Sequence, residues 1–446
     1  MNVIKAKIVP MRFTESNSRE RGEYEEQLGR LKAIYGGEAE FMDTVEVGDP
    51  IPACDAILFP QMIGAGYHYK PVLKAYGKPI LVITSQFGTV DMWDWELISY
   101  LRSGGLTVFS PYSIELGKVI LRALGVKTHL QGAKFLMFQD DPGEGMQAYI
   151  FKRFYWWEEE CTRQIEKAFG AKLIYRSWKE VNTRAAEKND REALAEFQSW
   201  NLPHEGISGE QQTLLGKLYL AIRETIRELG GVDGIGANCL NESMYCRTTP
   251  CVVWNQLFEK EGIIWCCEGD TLTLLSTYVL YHSLKAPIMM TNIYPFLVGK
   301  AAIHHERMND FPDVDEPENH ALGVHCGYAG FAPRPFCAGR WKIVPKVLEI
   351  VDEQAVMVNC ELPAGDMVLA KIDPSFERIT VIPGEIEKYM QFPGTDARNA
   401  SLLHYHNGEK VMEELPSHHQ MIITGRQKAA IIQIARVFGW TCEIIE

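Results

Sequence analysis

The segment IIWCCEGDTLTLLSTYVLYHSL carries the densest group of chemically useful residues in the chain. Two acids, Glu268 and Asp270, follow an apolar run that ends at Cys267 and precede a helical stretch that starts at Thr271. Open α/β sheets bind ligands beyond the carboxyl ends of their strands, so acids at such a junction are candidates for catalysis or metal binding. The competing reading makes Asp270 the cap of the Thr271 helix and Glu268 a solvated rim residue; for Asp270 the cap is the better reading. Asn292, in PIMMTNIYPF, stands 24 positions beyond Glu268, which fits one helix and one strand. The ends of consecutive parallel strands can be neighbours, and that would set Glu268 and Asn292 in one oxygen-lined site. Taken alone, Asn292 reads as a turn residue.

Histidines supply the second set of candidates. The chain has 12, including His304-His305, the pair His320 and His325 in NHALGVHCGYAG, the pair His404 and His406, and His418 and His419 in LPSHHQMIITG. Carboxylate, amide and imidazole donors suit Mn²⁺ or Mg²⁺ better than the sulfur-rich cages of structural zinc. A lone histidine is more often structural or exposed, and spacing does not choose among these groups. Trp93 and Trp95 in DMWDWEL could stack on sugar faces, but packing on a helix face is the better reading.

The elements that must position these residues can be read from periodicity. Short apolar runs alternate with helical stretches through the first third: Val3–Pro10, Ala56–Pro60, Pro79–Ser85 and Leu106–Ser110 read as buried strands, with Glu23–Tyr35 and Trp93–Ser103 as helices. The rhythm restarts after Gly132 with a strand at Phe135–Asp140, a helical stretch from Gln147 to Phe169 and a strand at Lys172–Trp178. Leu214, Leu218, Ile222, Ile226 and Leu229 line one face of a helix from about Gly209, and Thr183–Asp190 reads as a surface loop. The strands Gly234–Cys239, Ile263–Cys267 and Pro287–Thr291 then alternate with helices at Val252–Lys260 and Thr271–Leu284. From Arg340 the pattern changes to period two, which describes antiparallel strands. The predicted class is α/β: two successive open parallel-sheet, Rossmann-like domains at 1–131 and 132–285, followed by a mainly antiparallel β domain at 286–446.

Composition excludes several classes. A length of 446 residues exceeds what one hydrophobic core ordinarily holds, and no apolar run approaches the ~18 residues of a membrane span. A net charge of −13 without a basic stripe argues against nucleic acid as a partner. The 11 cysteines form no CxxC pair and read as reduced thiols, and MNVIKAKIVPMRF has no secretory h-region, so a cytoplasmic location is expected. GVDGIGANCL lacks the third glycine of a dinucleotide loop, and no GxxxxGK[ST] occurs, so no nucleotide cofactor is expected.

The ordered series of motifs resembles the L-fucose isomerase and L-arabinose isomerase superfamily, especially its shorter fucose-isomerase-like members, over most of the chain. The likeness rests on Cys267-Glu268-Gly269-Asp270 before LTLLSTYVLYHSL, on Thr291-Asn292, on His325-Cys326-Gly327, on Gly365-Asp366 through Leu369-Ala370 with Gly384-Glu385 beyond, and on His419 before QMIITG. The resemblance implies that Glu268, Asn292 and His419 hold a divalent ion of the Mn²⁺ type. It also implies a small open-chain sugar as substrate, with aldose and ketose interconverting through an enediol. His325 matches a substrate-contacting histidine of the fucose-like branch and His320 its counterpart in the arabinose branch, with His325 favoured. A homo-oligomer, trimeric or hexameric, is implied in the same way. The family's second acid is replaced here by Asn292, so proton transfer would be weakened or pass to Asp270 or Glu306. The alternatives are a catalytically impaired sugar-binding paralogue, or dehydration or epimerisation on the same metal site.

Overall fold

The computed structural model describes residues 4–140, 151–154, 158–239, 247–298, 308, 310–325, 332–345, 354–392 and 399–446. Strands β1 (Ala6–Arg12), β2 (Ala39–Phe41), β3 (Val45–Glu46), β4 (Ala56–Phe59), β5 (Ile80–Val82) and β6 (Val108–Phe109) form the first sheet. Its order is β2-β1-β4-β5-β6, all parallel, with β3 beside β1. Helices supply the crossovers that parallel strands require. The helix Ser18–Tyr35 starts in a capping box between Asn17 and Glu20, and the helix Ile114–Leu130 starts on Ser113.

A second parallel sheet has the order β10-β9-β7-β8, from β7 (Lys134–Phe138), β8 (Lys172–Arg176), β9 (Gly234–Ala237) and β10 (Ile264–Cys266). Gly234 and Gly236 of GVDGIG serve packing in β9. A Cβ on Gly236 would lie 2.6 Å from Cys266 Sγ, and one on Gly234 would lie 2.9 Å from Phe135 Cδ1. The helix Gly209–Glu228 runs as its apolar spacing predicts, and the long helical stretch expected before Phe169 is described as Phe151–Phe154 and Glu159–Phe169. Thr183–Asp190 is not a surface loop. The helix Trp178–Ala186 covers its first part and the helix Asp190–Ser199 begins at its end, because Ser177 and Asn189 each cap a new helix and outweigh the polar composition.

The third sheet holds β11 (Ile288–Pro295), β12 (His320–Val324), β15 (Gly365–Ile372), β16 (Arg378–Gln391), β17 (Asn399–Tyr405), β18 (His419–Thr424) and β19 (Thr441–Ile444); β13 (Trp341–Pro345) and β14 (Val356–Cys360) form a separate hairpin. The order runs β15-β18-β11-β12-β17-β16, and β15 also pairs with β16, so antiparallel strands close into a ring with β19 attached outside. This corrects the placement of the strand that carries Asn292. β11 is antiparallel to both β12 and β18 and belongs to the ring, not to a parallel series with β10. The apolar run IMMTNI suits either orientation, and hydrogen-bonding partners 130 residues further on decide it.

The helix Thr271–Leu284 joins the second sheet to the ring and is buried on all sides. Small polar residues seat it: Thr277 Oγ1 donates to Met421 Sδ at 2.8 Å, and Ser276 Oγ accepts from the Ile372 amide at 3.1 Å. Among the described residues no helix is long and apolar enough to cross a membrane.

Candidate metal centre

Glu268 sits in the turn between β10 and the Thr271–Leu284 helix, with φ at +55°, followed by Gly269 at +69°. Left-handed backbone at a residue with a Cβ costs about 1–2 kcal/mol, so the surroundings hold this carboxylate in place against a local preference. Two residues later Asp270 caps the helix and accepts from the Thr273 amide at 2.8 Å and its hydroxyl at 2.7 Å.

The N-terminus of that helix faces the start of β18 and the end of β15. Asp270 Oδ2 meets His419 Nδ1 at 2.9 Å and Lys371 Nζ at 3.2 Å, and Lys371 also reaches Ser417 Oγ at 3.2 Å. All three charged or titratable side chains are buried. Burial would raise the Asp270 pKa, but the Lys371 ammonium and the His419 hydrogen bond outweigh it and hold the carboxyl well below its ordinary range. Burial pushes the Lys371 pKa down, with Asp270 opposing. An ionised Asp270 fixes Nδ1 of His419 as the protonated nitrogen, which turns Nε2 outward as a ligand atom.

That Nε2 lies 3.9 Å from Glu268 Oε2, and on the other side His325 Nε2 lies 3.5 Å from Glu268 Oε1. Cys267, Glu268 and His325 present ligand atoms within 4.8 Å of one another, and all three are buried. Asn292 is the register partner of His419 across β11 and β18, so both side chains project to the same side of the sheet. Its Nδ2 donates to Tyr294 Oη at 3.2 Å; its Oδ1 is buried and has no hydrogen-bond partner among the described residues. A buried amide oxygen without a donor fits a cation, as do the carboxylate and the two imidazoles.

The fold therefore brings Glu268, Asp270, His325 and His419 together and sets Asn292 beside His419. It separates two other candidates. His320 lies at the opposite end of β12 from His325 and contacts Glu316 and Glu387 instead. Trp93 is 79% exposed in a one-turn helix, Met92–Asp94; Trp95 is exposed too, so neither packs as a helix face, because Leu97, Ile98 and Leu101 already fill it. His304, His305, Glu306, Cys326 and Gly327 lie outside the described residues.

Sequence reasoning missed Lys371 and the thiols around Cys267. The Cys239 Sγ is 3.9 Å from Cys267 Sγ, and hydrogen bonds with the Cys239 and Cys251 thiols, together with burial, push the Cys267 pKa well up. The adjacent Cys266-Cys267 pair in an apolar run was the available signal for a thiol-rich neighbourhood. Lys371 offered none, since a lysine in an alternating strand reads as facing solvent.

Compared with models of known protein families, the chain matches none, and comparison with curated proteins finds no match either.

Proposed function

We propose that the protein is a metal-dependent enzyme acting on a small sugar, with aldose–ketose isomerisation as its reaction. The reading is carried by the placement of the buried Glu268 carboxylate between two imidazoles, one of which is fixed by an ion-paired aspartate. Glu268, His325, His419 and the amide oxygen of Asn292 would hold a divalent cation. Such an ion, Mn²⁺ for this oxygen and nitrogen set, would polarise a sugar carbonyl and make the adjacent C–H more acidic.

The chain's own residues divide the remaining work. Asp270 orients His419, and Lys371 keeps Asp270 ionised, so Asp270 is a positioning residue and not the second acid. Asn292 can accept a hydrogen bond but cannot exchange a proton at neutral pH, which leaves proton transfer to Glu268. Interconversion would then be slow compared with a two-carboxylate site. The same asparagine favours, as a second reading, a sugar-binding protein that keeps the metal and has lost isomerisation.

Support for an oligomer comes from the first sheet's domain. Phe87, Met92, Trp93 and Trp95 are all more than half exposed along one short segment, which suits a second copy of the chain.

Elemental analysis of purified protein tests the metal, and NMR of sugar mixtures in deuterated water tests the reaction. Manganese bound by the wild type and lost in both Glu268→Gln and His419→Gln, with deuterium entering the sugar at the carbon next to the carbonyl, is the expected result. Equal metal in all three proteins ends the proposal, and metal-dependent sugar affinity without deuterium uptake selects the binding protein.

A further inference from the structure

We infer that the chain carries a second divalent-cation site, of the zinc type, formed by His320, His404, Glu385 and Glu387. His320 opens β12 and His325 directly follows it, so this cluster lies about 16 Å along the strand from the Glu268 centre at ~3.3 Å per residue.

Three neighbouring strands bring the ligands together. His320 is the register partner of His404 across β12 and β17, and His404 is the partner of Glu385 across β17 and β16. Register partners project to one side of a sheet, so these three side chains share a face. The register of β16 shifts between Ile386 and Lys388, which makes Glu387 the extra residue of a bulge. A bulge re-aims a side chain, and here it turns Glu387 toward the same cluster. Glu385, Glu387 and His404 present ligand atoms within 4.8 Å of one another, and the His320 and His404 rings lie 4.8 Å apart.

His320 supplies the second, independent observation. It is only 6% exposed, and its Nδ1 lies 2.9 Å from the Glu316 carbonyl oxygen. A carbonyl only accepts, so Nδ1 is the donor there, and the neutral ring has its lone pair on Nε2. That Nε2 is buried, has no hydrogen-bond partner among the described residues, and faces Glu387 Oε1 at 3.4 Å. A neutral imidazole would then set the buried Nε2 lone pair against a carboxylate oxygen. A cation between them removes the conflict. Two imidazoles and two carboxylates make a set that zinc accepts at tetrahedral geometry, and the backbone carbonyl behind Nδ1 is the usual outer support of a ligating histidine. Entry is through a cleft of about 370 Å³ lined by Asp313, Asp315, His320, Glu387 and Lys388. The bound ion would tie three strands together across the bulge.

The test uses the full chain, stripped with a chelator and dialysed against zinc alone, with metal per chain measured by elemental analysis. Glu387→Gln and His404→Gln are the informative variants, because Glu387 is exposed and His404 only half-buried, and circular dichroism confirms that both fold. Each is expected to bind one zinc fewer than the wild type, or to bind it about 100-fold more weakly. Glu268→Gln is expected to keep the zinc that those two lose. If both variants bind zinc as the wild type does, the site does not exist. Nitrogen-15 NMR showing His320 protonated on both nitrogens at neutral pH, with and without zinc, would equally overturn it, since a proton would then occupy the place assigned to the cation.

Discussion

Replacing Lys371 with Met isolates the buried ion pair behind the metal centre. Methionine keeps most of the length of the lysine stem and removes the charge. Lys371 Nζ stands 3.2 Å from Asp270 Oδ2, with side-chain exposures of 3% and 0%. At an effective dielectric of ~20, two unit charges at that distance attract by about 5 kcal/mol. Removing one member of a buried pair destabilises by about 3–5 kcal/mol, mainly because the other charge is left uncompensated. Asp270 keeps its hydrogen bonds from His419 and Thr273 when the ammonium is gone, so the expected loss is near the lower end, about 3 kcal/mol. Urea unfolding of Lys371→Met, at a slope unchanged from the wild type, measures it. Adding Asp270→Asn to Lys371→Met should cost less than the sum of the two single changes, by more than about 1 kcal/mol. A loss below about 1 kcal/mol for Lys371→Met, or strict additivity in the double variant, would refute the argument that Asp270 is held ionised by Lys371.

Asn292→Asp restores a second acid beside His419 and is expected to raise the isomerisation rate by about 100-fold, the lower range of general acid–base catalysis; an unchanged rate shows that this asparagine is not what limits turnover. His282, near the end of the Thr271–Leu284 helix, has its pKa lowered to about 3 by burial and then by the Lys285 and His129 charges, with Asp233 opposing. The unfolded chain therefore takes up a proton below pH ~6.5 where the native state does not, and stability falls as pH drops from ~6.5 toward 3, by up to about 2 kcal/mol at pH 5. His282→Leu should remove most of that difference between urea midpoints at pH 7 and pH 5, and an identical difference in the variant would contradict it.

Local signals carried the helices and most strand positions, because caps and periodicity are short-range. The Thr271–Leu284 helix has both its acidic cap and its apolar run in one contiguous segment, and its bounds are legible for that reason. The direction of β11 was not legible, since a helix followed by an apolar strand suggests a parallel crossover whether or not one is made. Lys371 was hidden because β15 is covered on both faces, by the ring interior and by the helix, so alternation no longer separates inside from outside. Trp93 and Trp95 misled for the opposite reason: apolar type predicted burial, and three aliphatic side chains had already filled the inward face. In the candidate centre, Glu268 and His419 are 151 positions apart, and only pairing of β11 with β18 and docking of the helix bring them together. Spacing alone ranked His320 and His325 together; the geometry sends them to opposite ends of one strand.

The closed ring has a consequence for how the candidate centre responds to its surroundings. Met421, Ile422 and Ile423 of β18 pair with β11 on one side and β15 on the other, and Asn292 of β11 pairs with both β12 and β18, so the amides of these residues lie where the ring has no free border. Their protons should exchange with solvent only when the ring opens as a whole. A ligand arriving or leaving would then alter side-chain positions while the peptide framework beneath keeps its hydrogen bonds, and the protein would resist recruitment into edge-to-edge fibrils along these strands.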